Sequence, residues 1–257
     1  MIKKTQFRSK LLESFKITKN LWLSDVQHLI LYQHLAKIMG VVLSSTILRK
    51  FAMALSGLFL MLFLLQHFAI NITSVFSETI FNQFSHFMGT NAIVQFVLQP
   101  ILIFGVIFHF VMGFILDIQN RSARGTRYAV YKGSANASWV SRNMLISGGT
   151  VLAFLALHFY DFWVPEMNYK YIEFLPENPD RYYEELVHKF EDLTRVILYV
   201  ISFVFLALHL SHGFSSAFQS MGFNNKYTPV VKSLGKVYSI GIPAGFAFIA
   251  IFHFLNH

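Results

Sequence analysis

Cysteine is absent from the 257 residues, so the chain has no disulfide, no thiolate nucleophile and no cysteine-bound cluster. Charge is scarce as well. Asp, Glu, Lys and Arg together make up 13% of the sequence, about half the share of an ordinary soluble domain. That is too little to cover a water-facing surface. No repeat and no low-complexity tract stands out. Lys and Arg are missing altogether from 75–91, and Asp and Glu are missing from 118–160. These one-sided gaps carry information about orientation.

What is present is apolar. Hydrophobic residues form 54% of the chain, with 29 Phe. They gather in five blocks at 51–74, 92–117, 143–164, 195–219 and 236–255, each near the about 20 residues that cross about 30 Å of hydrocarbon. The fifth contains Gly241, Pro243 and Gly245, which a membrane helix tolerates when neighbours satisfy the freed carbonyl. The reading is an all-α integral membrane protein, a bundle of five transmembrane helices. The net charge of +8 invites a nucleic-acid partner, but its placement excludes one. Arg49 and Lys50 precede the first block. Arg121, Arg124, Arg127, Lys132 and Arg142 fill the second connection, and Lys226, Lys232 and Lys236 the fourth. The third connection is acidic, from Glu166 and Glu173 to Glu191 and Asp192. Lys and Arg stay on the cytoplasmic side. The N-terminus and the basic connections are therefore expected inside, and the C-terminus outside.

Residues 1–42 do not read as a span. Lys3, Lys4, Arg8, Lys10, Lys16 and Lys19 make the start basic, and Asp25, His28, His34 and Lys37 break the apolar stretch that follows. Either this is an interfacial amphipathic helix, or it is an extension outside the functional chain, with Met39 as the start. It lacks the small-residue cleavage site of a secretory signal. Residues 43–257 form the membrane domain.

Each of the first four blocks holds one central histidine: His67, His109, His158 and His209. A single such ring can simply bond a neighbouring helix. Four on successive helices are costly in lipid and point to function. Blocks one and three run outward, which puts His67 and His158 about 24 Å from the inner face at 1.5 Å per residue. Blocks two and four run inward, which puts His109 and His209 about 12–15 Å from that face. The rings thus sort into an outer pair and an inner pair. Zinc would need about four ligands at one point, whereas a haem needs only two axial ones. Two depths imply two haems. Gly105, His109 and Gly113 share one helical stripe, as do His209 and Gly213; ordinary small-residue packing is the alternative. His212 is the rival inner ligand. Asn71 and Asp161, beside the outer pair, suit a quinone headgroup or haem propionates, with helix capping or packing the alternative for Asn71 and interfacial solvation for Asp161; His86 is a further candidate quinone contact, with a surface position the alternative. His253 and His257, at the outer end of the fifth block, are expected to be solvated.

At LLQHFAIN (64–71), FNQFSHFMGT (81–90), IFHFVMG (107–113), SRNML (141–145), LALHFYDFW (155–163) and ALHLSHGFSSAFQSMG (207–222), the chain resembles a known family. This is the single-chain, dihaem cytochrome b membrane anchor of bacterial succinate dehydrogenase and fumarate reductase (the succinate:quinone oxidoreductases), and the Bacteroidetes members resemble it most. The resemblance covers about residues 43–256. It implies two haem b groups, held by His67 with His158 and by His109 with His209. It implies a cytoplasmic iron–sulphur subunit and a flavoprotein subunit as partners, menaquinone as the usual quinone, and a place in the bacterial cytoplasmic (inner) membrane. Succinate chemistry would belong to the partners, and this chain would carry electron transfer and quinone binding. Some family members carry a glutamate near helix four; here Phe205, Leu206, Ala207 and Leu208 precede His209, which puts that proton route in doubt. The alternative is a haem-b, quinone-reactive subunit of another respiratory dehydrogenase, and a colourless transporter using histidines as proton relays is a third reading.

The orientation has a direct test. A reporter fused after His257 is expected to report the outer compartment, and one inserted between residues 122 and 143 the cytoplasm. A cytoplasmic C-terminus would invert the two histidine depths.

Overall fold

The computed structural model describes residues 45–122, 144–223 and 225–257. The extension 1–42 and the basic residues Arg124, Arg127, Lys132 and Arg142 lie outside them. Phe51–His257 clusters as one unit. Of the other, Met1–Lys50, only Ser45–Lys50 is described, and it enters the first turn of helix one.

Among the described residues every regular element is helical. In order they are α1 (Thr46–Asn71), a 3-10 turn (Ile72–Val75), α2 (Glu78–Thr90), a π turn (Val94–Leu98), α3 (Gln99–Ser122), α4 (Met144–His158), a second π turn (Phe159–Trp163), α5 (Val164–Tyr171), α6 (Arg181–Phe190), α7 (Leu193–Ser220) and α8 (Thr228–Asn256). Five continuous helices are long and apolar enough to cross a membrane: Ile47–Val75, Val94–Ser122, Met144–Tyr171, Leu193–Ser220 and Thr228–Asn256. The chain is a multi-pass membrane protein. Large apolar side chains such as Leu62, Phe104, Ile146, Val204 and Ile240 are exposed. That is unfavourable in water but suits contact with lipid, where backbone groups must be satisfied within the helix.

Local chemistry sets the helix ends. Ser77 caps α2 by accepting from the Ile80 N–H at 3.3 Å, and Asp192 caps α7 by accepting from Thr194 N–H at 2.9 Å. Pro229 sits in the first turn of α8, where a missing N–H costs nothing. The third span continues through the second π turn and Pro165 to Tyr171, seven residues beyond the expected end at 164.

The bundle closes around α7, with α8 on one side and α4 on the other. Phe154, Tyr199, Phe203 and Phe246 form its aromatic centre, with rings 5.0 to 6.0 Å apart. The Tyr238 hydroxyl donates to the Met61 carbonyl at 2.6 Å and ties α8 to α1.

The expected outer loops are folded. Asn82 on α2 donates to the Asp180 carbonyl at 3.0 Å and accepts from the Tyr183 N–H at 2.8 Å, which joins α2 to α6. Glu166 forms ion pairs with Lys170 and Arg181, and Arg181 reaches Glu185 at 2.6 Å. Burial alone would weaken the proton affinity of Arg181, but its bonds to Glu166 and Glu185 outweigh this and raise its pKa. The Tyr182 hydroxyl is pushed up to about 12, first by burial and then by Glu166. His86 therefore lies on a helix of this cap rather than in a loop. His253 also departs from expectation: it is fully buried, because Ser74 and Tyr183 close over it from two other elements.

Two glycines of α8 make opposite predictions. A Cβ at Gly245 would lie 2.6 Å from the Cζ of Phe68, while a Cβ at Gly241 meets nothing within 4 Å. Gly245→Ala is expected to destabilise by about 1–3 kcal/mol through overpacking, and Gly241→Ala to be neutral or mildly stabilising. Thermal midpoints of the detergent-solubilised variants check this, and equal midpoints would contradict the α1–α8 contact.

Candidate functional site: two facing histidine pairs

The aromatic centre of the bundle surrounds the outer pair. His67 on α1 and His158, the last residue of α4, face each other with ring centres 5.8 Å apart and planes at 85°. Phe63 stacks on His67 at 5.5 Å, and Phe246 lies 5.6 Å away. Phe154 and Phe162 flank His158 at 5.8 and 5.2 Å. The Nδ1 of His158 is buried and has no hydrogen-bond partner among the described residues.

The inner pair is built differently. His109 on α3 and His209 on α7 face each other with ring centres 6.3 Å apart and planes at 73°. It is His209, not the rival His212, whose ring meets His109. Ser56 on α1 lies 3.0 Å from the Nδ1 of His109, and Ser147 on α4 lies 3.4 Å from the Nδ1 of His209. A Cβ at Gly57 would sit 3.3 Å from the Cε1 of His109, and one at Gly148 would sit 3.4 Å from the Cε1 of His209. The two rings therefore lie directly on neighbouring backbones. Gly105 and Gly113, singled out from the sequence, face Phe59 and Met53 instead, and Gly213 faces Met144.

The spacing decides what such pairs can hold. Two metal–nitrogen bonds of about 2 Å each, plus about 1 Å from each nitrogen to its ring centre, separate two trans imidazoles by about 6 Å. Both pairs match that distance. Among the described residues no three His, Cys, Asp or Glu side chains converge on one point, so the donor set is two imidazoles per depth. That set fits a haem, which brings its own equatorial nitrogens, and does not fit a bare tetrahedral ion.

Neither the protein-family models, nor the curated proteins, nor the solved structures contain a match to this chain. Its functional reading therefore rests on its own residues and on the resemblance noted above.

The three candidate quinone contacts have separate partners. The Asn71 amide donates to the His67 carbonyl at 2.8 Å, and its nitrogen lies 3.4 Å from the Nδ1 of the His67 ring. His86 lies beside Tyr182, with ring centres 6.2 Å apart. It lines a cleft of about 260 Å³ together with Thr90, Gln95, Lys170, Arg181 and Tyr182. Asp161 sits in the second π turn, 1% exposed. It pairs with Arg195 and accepts from the Tyr199 hydroxyl at 2.8 Å. Interfacial solvation is thus replaced by a buried ion pair between the third and fourth spans. The extra residue of a π turn rotates the helix locally at this carboxylate.

Sequence reasoning missed Arg195, Tyr199, Ser56 and Ser147. The first two become visible only when α4 and α7 are packed together. The serines left a signal, since each stands before a glycine ten residues ahead of its span's histidine.

Asp161→Ala is expected to cost on the order of 3 kcal/mol, the penalty for leaving a partly buried partner charge unpaired. Asp161→Asn, which keeps an acceptor for Tyr199, should cost less. Thermal midpoints in detergent decide it, and an Ala variant as stable as the native chain would contradict the buried pair.

Proposed function

We propose that this chain is the membrane anchor and electron-transfer subunit of a succinate:quinone oxidoreductase, a bundle of five transmembrane helices enclosing two haem b groups. The observation that carries the reading is the pair of facing histidines at each of two depths. His67 with His158 would hold the outer haem, and His109 with His209 the inner one. Bound there, the haems supply reversible one-electron transfer. The rest of the work belongs to the chain. The four imidazoles would hold the two groups, two at each depth. Phe63, Phe154, Phe162 and Phe246 exclude water from the outer pair. Gly57 and Gly148 let the inner rings lie against the backbone.

Lys226, Lys232, Lys236 and the basic connection after α3 form the cytoplasmic docking face for the iron–sulphur subunit, which the flavoprotein subunit supplies with electrons. Electrons entering there leave at the opposite end, so quinone, with menaquinone the expected one, belongs beside the outer pair. Quinone carbonyls need donors. Asn71 has a second amide hydrogen beside His67, His86 lies in the outer cleft, and Asp161 acts through Tyr199. A site near an aqueous face takes up protons without a buried carboxylate chain, which agrees with the lack of a glutamate before His209.

Two experiments test this. In the intact complex, replacing His109 or His209 is expected to remove one haem, and replacing His67 or His158 the other. A stable His209→Ala variant that keeps both haems would move the assignment to His212. His86→Ala and Asn71→Leu are expected to raise the quinone KM about fivefold, the worth of one hydrogen bond of about 1 kcal/mol. Haem content, and succinate oxidation measured with a soluble dye, should be unchanged. Native quinone kinetics in both variants would move the quinone elsewhere.

A further inference from the structure

Spans one and three carry the same short pattern. Ser56 and Gly57 precede His67, and Ser147 and Gly148 precede His158, each glycine ten residues before its histidine. The structure shows what the pattern touches. It serves the histidine on the following span, not the one on its own span. Ser56 meets His109, the returning helix of the first hairpin, and Ser147 meets His209, the returning helix of the second. Serine supplies the polar contact, and the adjacent glycine supplies the room for the ring.

The hydrogen-bond count then fixes the chemistry. A serine hydroxyl has one hydrogen to give. Ser56 donates it to the Met53 carbonyl at 2.9 Å, and Ser147 donates its own to the Met144 carbonyl at 3.0 Å. Each oxygen can then only accept from the imidazole. In the tautomer that gives every one of these groups a partner, Nδ1 carries the proton and Nε2 keeps its lone pair. A partner on the far nitrogen orients a metal-bound histidine and raises its basicity.

On the reading of the inner pair as haem ligands, we propose that Ser56 and Ser147 are positioning residues. Each holds its histidine in the Nδ1–H tautomer, with Nε2 turned toward the partner ring, and makes that ring a stronger electron donor. The device belongs to the inner pair: the Nδ1 of His158 has no partner among the described residues, and the Nδ1 of His67 lies 3.4 Å from the Asn71 amide nitrogen, a donor rather than an acceptor. It lowers the potential of the inner centre relative to the same centre without the serines, because a stronger donor stabilises the oxidised iron.

The test uses the purified complex carrying Ser56→Ala, Ser147→Ala and the hydroxyl-keeping Ser56→Thr. The expected result is an unchanged haem content, an upward shift of one of the two midpoint potentials in each alanine variant, and a return toward the native value with threonine. The shift should be larger for Ser56, whose contact is shorter. Alanine variants with full haem and native potentials overturn the proposal while leaving the haem reading intact. A native chain without haem sinks that reading first. Redox-difference infrared spectra of the unmodified complex, with ring-15N histidine, decide the matter even where a variant does not assemble. A hydrogen-bonded Nδ1–H on the inner ligands is expected, and an unprotonated Nδ1 overturns the proposal.

Discussion

An imidazole held at bilayer depth must find a partner there, because lipid offers none. Within this bundle His109 and His209 meet serines and His67 meets Asn71, while the Nδ1 of His158 has no partner among the described residues. At the inner depth the far nitrogens bond to serines on neighbouring helices, and glycines beside those serines bring the backbone into contact with the rings. At the outer depth the rings sit in a shell of phenylalanines. At both depths the two rings face one another, with centres 5.8 and 6.3 Å apart. The helices are arranged so that spans one and three bring their histidines together, and spans two and four do the same.

The outer end meets a second constraint. Polar chain must leave the membrane there without exposing unpaired groups. The third span runs on into α5, and Glu166 gathers Lys170 and Arg181 beneath α6. Asp161, one turn from His158, is neutralised by Arg195 and bonded by Tyr199. His253 is covered by Ser74, whose hydroxyl lies 2.9 Å from its Nε2. This end of the bundle is thereby closed by a folded, charge-paired cap rather than by loops, and the cleft lined by His86 opens in that cap.

How much of this the sequence disclosed depended on range. The five spans were legible because hydropathy is a local property, and only their ends moved. The third runs on through a π turn and Pro165 to Tyr171, and the fifth begins at Thr228 rather than 236. The sorting of the histidines by depth needed only helix directions and rise per residue, and the rings that face each other are the ones it grouped. The cap was not legible. α5 and α6 are polar segments whose stability comes from Glu166, Arg181 and Asn82 meeting partners far along the chain. The burial of His253 and the pairing of Asp161 with Arg195 likewise depend on which helices adjoin. Gly105 and Gly113 share a face with His109, yet the glycines that touch the inner rings, Gly57 and Gly148, lie on other spans. The equal Ser-Gly spacing to His67 and His158 was the better signal, and it is visible without any structure.

The central claim is that two imidazoles at each of two depths hold a haem. Quantifying haem per chain in the purified native complex by the pyridine haemochrome method, alongside its ferric electron paramagnetic resonance spectrum, tests this most directly. The account predicts about two b-type haems per chain, from two ligand pairs of about 6 Å spacing, both low-spin. Their signals should be as anisotropic as near-perpendicular ligand planes require. One haem, none, or a high-spin signal in the native protein would contradict it.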